Sequence, residues 1–327
     1  MPDIAVVPPL SEFEDRRTGL MVFGIIVIVL GCLIALMLPL MLVGQLMAGH
    51  VPGAAPLPLR LMLPAVFMYL GLAVLFIWLG IGSVLCRRWA RALLLVFAWL
   101  WLLGGLAGVG MAAFVLPQIF DQPQPGLPPL PPAARILITV FTLATCLVIY
   151  VIIPAVLVCF YRSRHVQATC AARDPVPRWT DACPLPVLAI SLMLGGGAAC
   201  MPLLMGVYHS IVPFFGCYLS GGPGTAVLLV TTAAYAWAVR ATYRLNVAGW
   251  WVAFFGFGLW MLSSGLTFAR AGLLPMYELM EFPPAMLDQM RQMGFLQSPA
   301  MVVLPLVCWL PFLGYLIYLK KFFKPRS

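Results

Sequence analysis

Eight apolar runs constrain this chain more than any other feature. Each is long enough to cross a hydrocarbon core of about 30 Å, and none has a charge near its middle. They run Leu20–Met47, Leu61–Leu85, Ala92–Leu116, Ile136–Tyr161, Pro186–Tyr208, Gly224–Ala241, Val247–Phe268 and Met301–Leu319. Of the 327 residues 63% are hydrophobic and 9% charged, against about 25% charged in a soluble domain. So few charges cannot cover a water-facing surface, which excludes a soluble enzyme and a disordered chain. The expected fold class is all-α: a polytopic helical membrane protein with eight transmembrane helices.

The formal net charge of +9 sits in short loops. Alternate loops and ends carry Arg16, Arg17, Arg87, Arg88, Arg91, Arg162, Arg164, Arg173, Arg178, Arg240, Arg244, Lys320, Lys321, Lys324 and Arg326; the others carry only Arg60, Arg135, Arg270 and Arg291. This asymmetry places both termini in the cytoplasm. The organisation expected is a cytoplasmic segment 1–19, a membrane repeat 20–161, a basic cytoplasmic loop 162–185, a second repeat 186–319 with an outer amphipathic loop 269–300, and a basic tail 320–327. The duplication rests on recurring offsets. Trp78 and Trp237 are 159 residues apart, as are Trp101 and Trp260; Pro154 and Pro311 are 157 apart, and Pro39 and Pro202 163. Four spans per half is even, so the repeats are parallel.

The missing mid-span ionisable groups argue against proton-coupled transport, pumping and voltage sensing. No nucleotide-binding GxxxxGK[ST] motif is present. Neither a cofactor nor nucleic acid is expected. What the spans do contain is small and weakly polar. Gly195, Gly196 and Gly197 read first as close helix packing and second as a broken helix lining a substrate cavity. Thr139, Thr142 and Thr145 form a stripe that reads as back-bonded hydroxyls or as the wall of a weakly polar path. Gly104 and Gly108 have helix-packing spacing, and Pro39, Pro154, Pro202, Pro305 and Pro311 are expected to kink their helices.

The loops add two metal readings and one lipid reading. Met286, Met290 and Met293 share one face of a short helix begun by Pro283-Pro284; with His50 and His209 they form a candidate soft-metal site, against the plainer reading of an interfacial amphipathic helix. His165, Cys170 and Cys183 have no standard zinc spacing. Arg87, Arg88, Arg91, Arg162, Arg164, Lys320 and Lys321 are expected to contact anionic lipid headgroups. The expected partners are the bilayer, those headgroups and, on the scaffold reading, another membrane protein that could meet the proline-rich segment 117–135.

The segments GSVLCRRWARALLLVFAWLWLLGG (Gly82–Gly105) and ARDPVPRWTDACPLP (Ala172–Pro186) resemble an uncharacterised family of bacterial polytopic membrane proteins. The resemblance implies a bacterial inner membrane and carries no function. Three functions remain open on the sequence: transport or handling of a neutral or lipid-like substrate, a non-catalytic accessory or scaffold role, and an outer-face metal protein or enzyme with His50, His209, Glu278, Glu281 and the methionines as candidates.

Overall fold

A computed structural model describes residues 14–48, 58–121, 131–292 and 300–323. Among the described residues the chain is all-α apart from one small hairpin. The long helices are α1 (Arg17–Ala48), α2 (Leu59–Val84), α3 (Arg88–Asp121), α4 (Pro132–Leu147) running through a π-helical turn (Val148–Ile152) into α5 (Ile153–Arg162), then α7 (Leu185–Val207), α8 (Gly221–Tyr243), α9 (Val247–Ala271) and α12 (Ala300–Leu319). The short α6 (Arg164–Arg173) precedes α7, and α10 (Leu274–Leu279) and α11 (Pro284–Gln292) precede α12. Among the described residues seven helices are long and apolar enough to cross a membrane, α4 and α5 counting as one with the turn between them. The protein is an integral membrane protein. Helices satisfy their own backbone hydrogen bonds, the condition hydrocarbon imposes, and leave Leu40, Leu137, Phe141 and Val230 bare on their surfaces.

The chain forms two compact units. The first comprises Met1–Leu42, Ala65–Ala112 and Ile138–Leu185; the second comprises Val43–Pro64, Ala113–Leu137 and Pro186–Ser327. In the first, Leu20, Val27, Leu79, Ala90 and Tyr161 are fully buried. The Ser83 hydroxyl donates to the Leu20 carbonyl at 3.0 Å and lies 2.7 Å from the Tyr161 hydroxyl, tying α1, α2 and α5 together. In the second, Val187, Leu194, Leu228, Tyr235, Trp250 and Leu316 form the core. Trp250 Nε1 donates to the Leu316 carbonyl at 2.7 Å, and the Tyr315 hydroxyl donates to the Pro186 carbonyl at 2.5 Å. A buried polar group needs such a partner wherever water is absent.

The second unit also holds an antiparallel hairpin, β1 (Val212–Phe214) and β2 (Cys217–Leu219), which the sequence does not announce. It lies against α9. The Phe215 and Gly216 amides donate to the Ser263 and Thr267 hydroxyls, both at 3.0 Å, and Ser263 donates onward to the Pro213 carbonyl at 2.8 Å. Non-helical backbone beside a membrane helix is tolerated only where protein groups satisfy it, and these two hydroxyls do so.

The α2–α3 and α8–α9 turns share two backbone hydrogen bonds at equivalent positions. In the first, Cys86 N–H donates to Ser83 O and Arg87 N–H to Gly82 O; in the second, Leu245 N–H donates to Thr242 O and Asn246 N–H to Ala241 O, all at 2.8 to 2.9 Å. Cys86 and Leu245 both adopt positive φ, 53° and 59°. The small contacts inside the two hairpins also correspond. A Cβ on Gly82 would meet Ala90 Cβ at 2.5 Å, and a Cβ on Gly249 would meet Ala241 Cβ at 2.7 Å. Every pair of equivalent positions is 159 residues apart.

Candidate functional site

The candidate site begins with Pro154. In an α-helix the Tyr150 carbonyl would accept a hydrogen bond from residue 154, but proline has no N–H and its ring collides with that carbonyl. The helix widens instead, and Ile153 N–H reaches back five residues to Val148 O. The displaced Tyr150 carbonyl presses on α3 at Gly105, where an added Cβ would lie 1.9 Å from its oxygen. Gly104 and Gly108, the pair with helix-packing spacing, have nothing within 4 Å of an added Cβ. The contacting glycine is the one between them. π turns of this kind are frequent at functional sites.

Two openings in the first unit flank this turn. A groove of about 590 Å³ runs along α5, lined by Val151, Ile152, Ala155, Val156, Cys159 and Phe160, and reaches Arg16, Ser163 and Val166 at its basic end. A smaller crevice of about 360 Å³ lies against α3 between Trp101, Gly104, Gly105, Gly108, Val109, Cys146 and Tyr150. Both are almost wholly apolar. The span that carries them has no buried residue in α4 or in the π turn; only Pro154, Leu157, Val158 and Tyr161 of α5 are buried.

The basic end of the first unit is a folded cap. The Asp174 carboxylate, 3% exposed, accepts from Arg178 Nη2 at 2.9 Å and Nε at 3.3 Å, and from the Arg88 backbone N–H at 3.3 Å; Arg87 lies 3.8 Å away. Asp174 therefore neutralises the positive end of α3 from a distant loop. The Arg178 guanidinium holds this carboxyl below the usual carboxylate range, with the Arg88 amide and Arg87 adding to the effect against the opposing cost of burial. Asp181 pairs with Arg88 at 3.3 Å, and Asp15 with Arg173 at 2.7 Å. The Thr169 hydroxyl accepts the Arg16 N–H at 3.0 Å, and His165 Nδ1 accepts the Glu14 N–H at 3.2 Å. Burial pushes the Cys170 thiol up to about 12 and Cys183 up to about 11, so both thiols are protonated at neutral pH and poor nucleophiles.

The headgroup-contact residues divide accordingly. Arg87 and Arg88 are engaged with Asp174 and Asp181. Arg91, half-buried, has a buried Nε without a hydrogen-bond partner among the described residues. Arg162 and Arg164 are exposed and have no ion pair among the described residues. Lys320 lies over the Trp250 and Trp251 rings, 5.2 and 5.1 Å from their centroids, and Lys321 lies 3.7 Å from that of Tyr318. Arg16 pairs with Glu14, both exposed.

None of the remaining candidates is among the residues that line the groove. Gly195, Gly196 and Gly197 sit in an unbroken α7; added Cβ atoms on Gly195 and Gly197 would meet Val239 at 3.7 Å and Tyr235 at 3.4 Å, and one on Gly196 would meet nothing. Thr145 donates to the Phe141 carbonyl at 2.9 Å, while Thr139 and Thr142 are half-buried on α4. Met286 and Met290 are half-buried on α11. His209 pairs with Glu281 at 3.5 Å, and Arg60 reaches the same carboxylate oxygen at 3.4 Å. His50 and Met293 lie outside the described residues. Among the described residues no three His, Cys, Asp or Glu side chains gather as metal ligands. The groove escapes a reading of the sequence because its walls are ordinary lipid-facing residues; Pro154 is its one signal.

No protein-family model, curated protein or solved structure matches the chain.

Proposed function

We propose that this chain is an eight-span protein of the bacterial inner membrane that handles or moves a lipid-like substrate, taken sideways from the bilayer into the groove along α5. The observation that carries this reading is the groove itself: apolar walls, an opening on the side of a span, and arginine at one end only. A lipid matches that division between apolar length and polar terminus, whereas a small soluble solute would meet almost no polar group to recognise. The absence of an Asp, Glu or His from mid-span positions fits a substrate that needs no intramembrane proton relay.

The same reading takes α12, twenty residues long, as the eighth span, both termini as cytoplasmic by the Lys and Arg asymmetry, and the two halves as parallel repeats. The two turns, whose shared bonds lie 159 residues apart, support the duplication.

The test is lipid movement. Vesicles reconstituted with the protein and a phospholipid bearing a fluorescent headgroup are treated with an impermeant quencher. Trans-bilayer movement is expected to exceed that of protein-free vesicles, and Ala155→Phe, which fills the groove, is expected to slow it. Equal rates with and without protein would remove the transport reading.

A further inference from the structure

We propose that the groove along α5 takes one acyl chain of a phospholipid with net negative charge, whose phosphate is held by Arg16, Arg162 and Arg164. This rests on the reading of the groove as a lipid site and specifies its ligand. From Val151 to Ser163 the groove follows twelve residues of helix, about 18 Å at the helical rise, close to the roughly 15 Å of hydrocarbon in one leaflet. Arg16 and Ser163 line it beyond the end of α5, so a chain lying along α5 brings its headgroup to that end.

The charge at that end is unbalanced. Arg162 and Arg164 flank Ser163 in sequence, are exposed, and have no ion pair among the described residues. Among the first unit's acidic residues, Glu14 pairs with Arg16 itself, Asp15 with Arg173 and Asp174 with Arg178. Of the three arginines only Arg16 has a carboxylate partner among the described residues, Glu14, which is 68% exposed. Arg87 and Arg88, equally basic by sequence, already hold carboxylates. Arginine suits the task because its planar fork matches phosphate oxygens. A zwitterionic headgroup brings its own cation next to the phosphate and loses much of this attraction.

The test is native mass spectrometry of the full-length protein in detergent, titrated separately with phosphatidylglycerol and phosphatidylcholine of identical chains. The wild type is expected to bind phosphatidylglycerol roughly tenfold or more tightly. Arg16→Gln/Arg162→Gln/Arg164→Gln is expected to lose that preference and keep its phosphatidylcholine affinity. Lys320→Gln/Lys321→Gln, which removes two charges that do not line the groove, is expected to leave the preference intact, and millimolar inorganic phosphate is expected not to compete. Circular dichroism and the thermal midpoint establish that each variant is folded. Equal affinity for the two lipids in the wild type, or a preference that survives the triple substitution, overturns the proposal. Ala155→Phe separates the two levels. If it abolishes both lipids while the wild type shows no preference, the groove reading stands and the anionic inference fails. If it changes neither, both fail.

Discussion

Asp174 and Gly105 show how single residues fix the site. Asp174 is a buried carboxylate whose partners are a guanidinium and the first amide of a helix. Asp174→Ala is expected to destabilise the first unit by about 2–3 kcal/mol, the scale of hydrogen bonds to a charged group, read as a lower thermal midpoint. Its folded-state pKa is lowered, so its stabilisation is present above the unfolded value of about 4 and is lost as the pH falls through the folded value. A pH–stability profile of the wild type should therefore fall in that acidic window, and the fall should shrink in Asp174→Ala. Gly105→Ala forces a methyl onto the Tyr150 carbonyl and is expected to destabilise the protein, whereas Gly104→Ala and Gly108→Ala, with open space around them, are expected to be tolerated. Denaturation midpoints of the three variants test this order. The sequence shows five glycines and alanines in a row of eight from Gly104 without distinguishing them; a carbonyl displaced by a proline 49 positions later singles out Gly105.

At the scale of elements, long apolar runs are legible because a lipid-exposed helix needs no periodic pattern. The observed helices begin and end close to the expected spans. The hairpin Val212–Leu219 is not legible, because its stability comes from Ser263 and Thr267 on a helix 50 positions away. α6 is hidden similarly: its short, mixed sequence is held by Arg16 and Asp15, which lie 153 and 158 positions earlier than their partners. The matched turns yield an element-scale prediction. Asn246 caps α9 from within, its side chain accepting from Ala248 N–H at 2.9 Å. The equivalent residue before α3 is Arg87, which cannot accept; there Asp174 accepts from the Arg88 N–H, one position before the equivalent of Ala248. Arg87→Asn in the Asp174→Ala background is therefore expected to recover part of the lost stability, on the order of 1 kcal/mol; a double variant no more stable than Asp174→Ala contradicts the equivalence of the two turns.

At the scale of the molecule, the site and the orientation are linked: the arginine end of the groove is the cytoplasmic end if the charge asymmetry governs insertion. Cys217, exposed on the hairpin, and residue 163, at the groove's basic end, then lie on opposite sides. In a background lacking other cysteines, Cys217 is expected to react with an impermeant maleimide from outside intact cells, and Ser163→Cys only after permeabilisation. The reversed pattern would invert the orientation and put the arginine end in the outer leaflet.

A lipid chain seated in the groove beside the π turn would leave a photochemical footprint there. The protein, reconstituted with a phospholipid carrying a photoreactive group on its acyl chain, is irradiated, digested and mapped by mass spectrometry. Adducts are expected to concentrate on Val151, Ala155, Val156 and Cys159 and to disappear from them in Ala155→Phe. Adducts spread evenly over the bare faces of α1, α4 and α8, with no excess on α5, would show that the groove is ordinary lipid-facing surface and holds no lipid of its own.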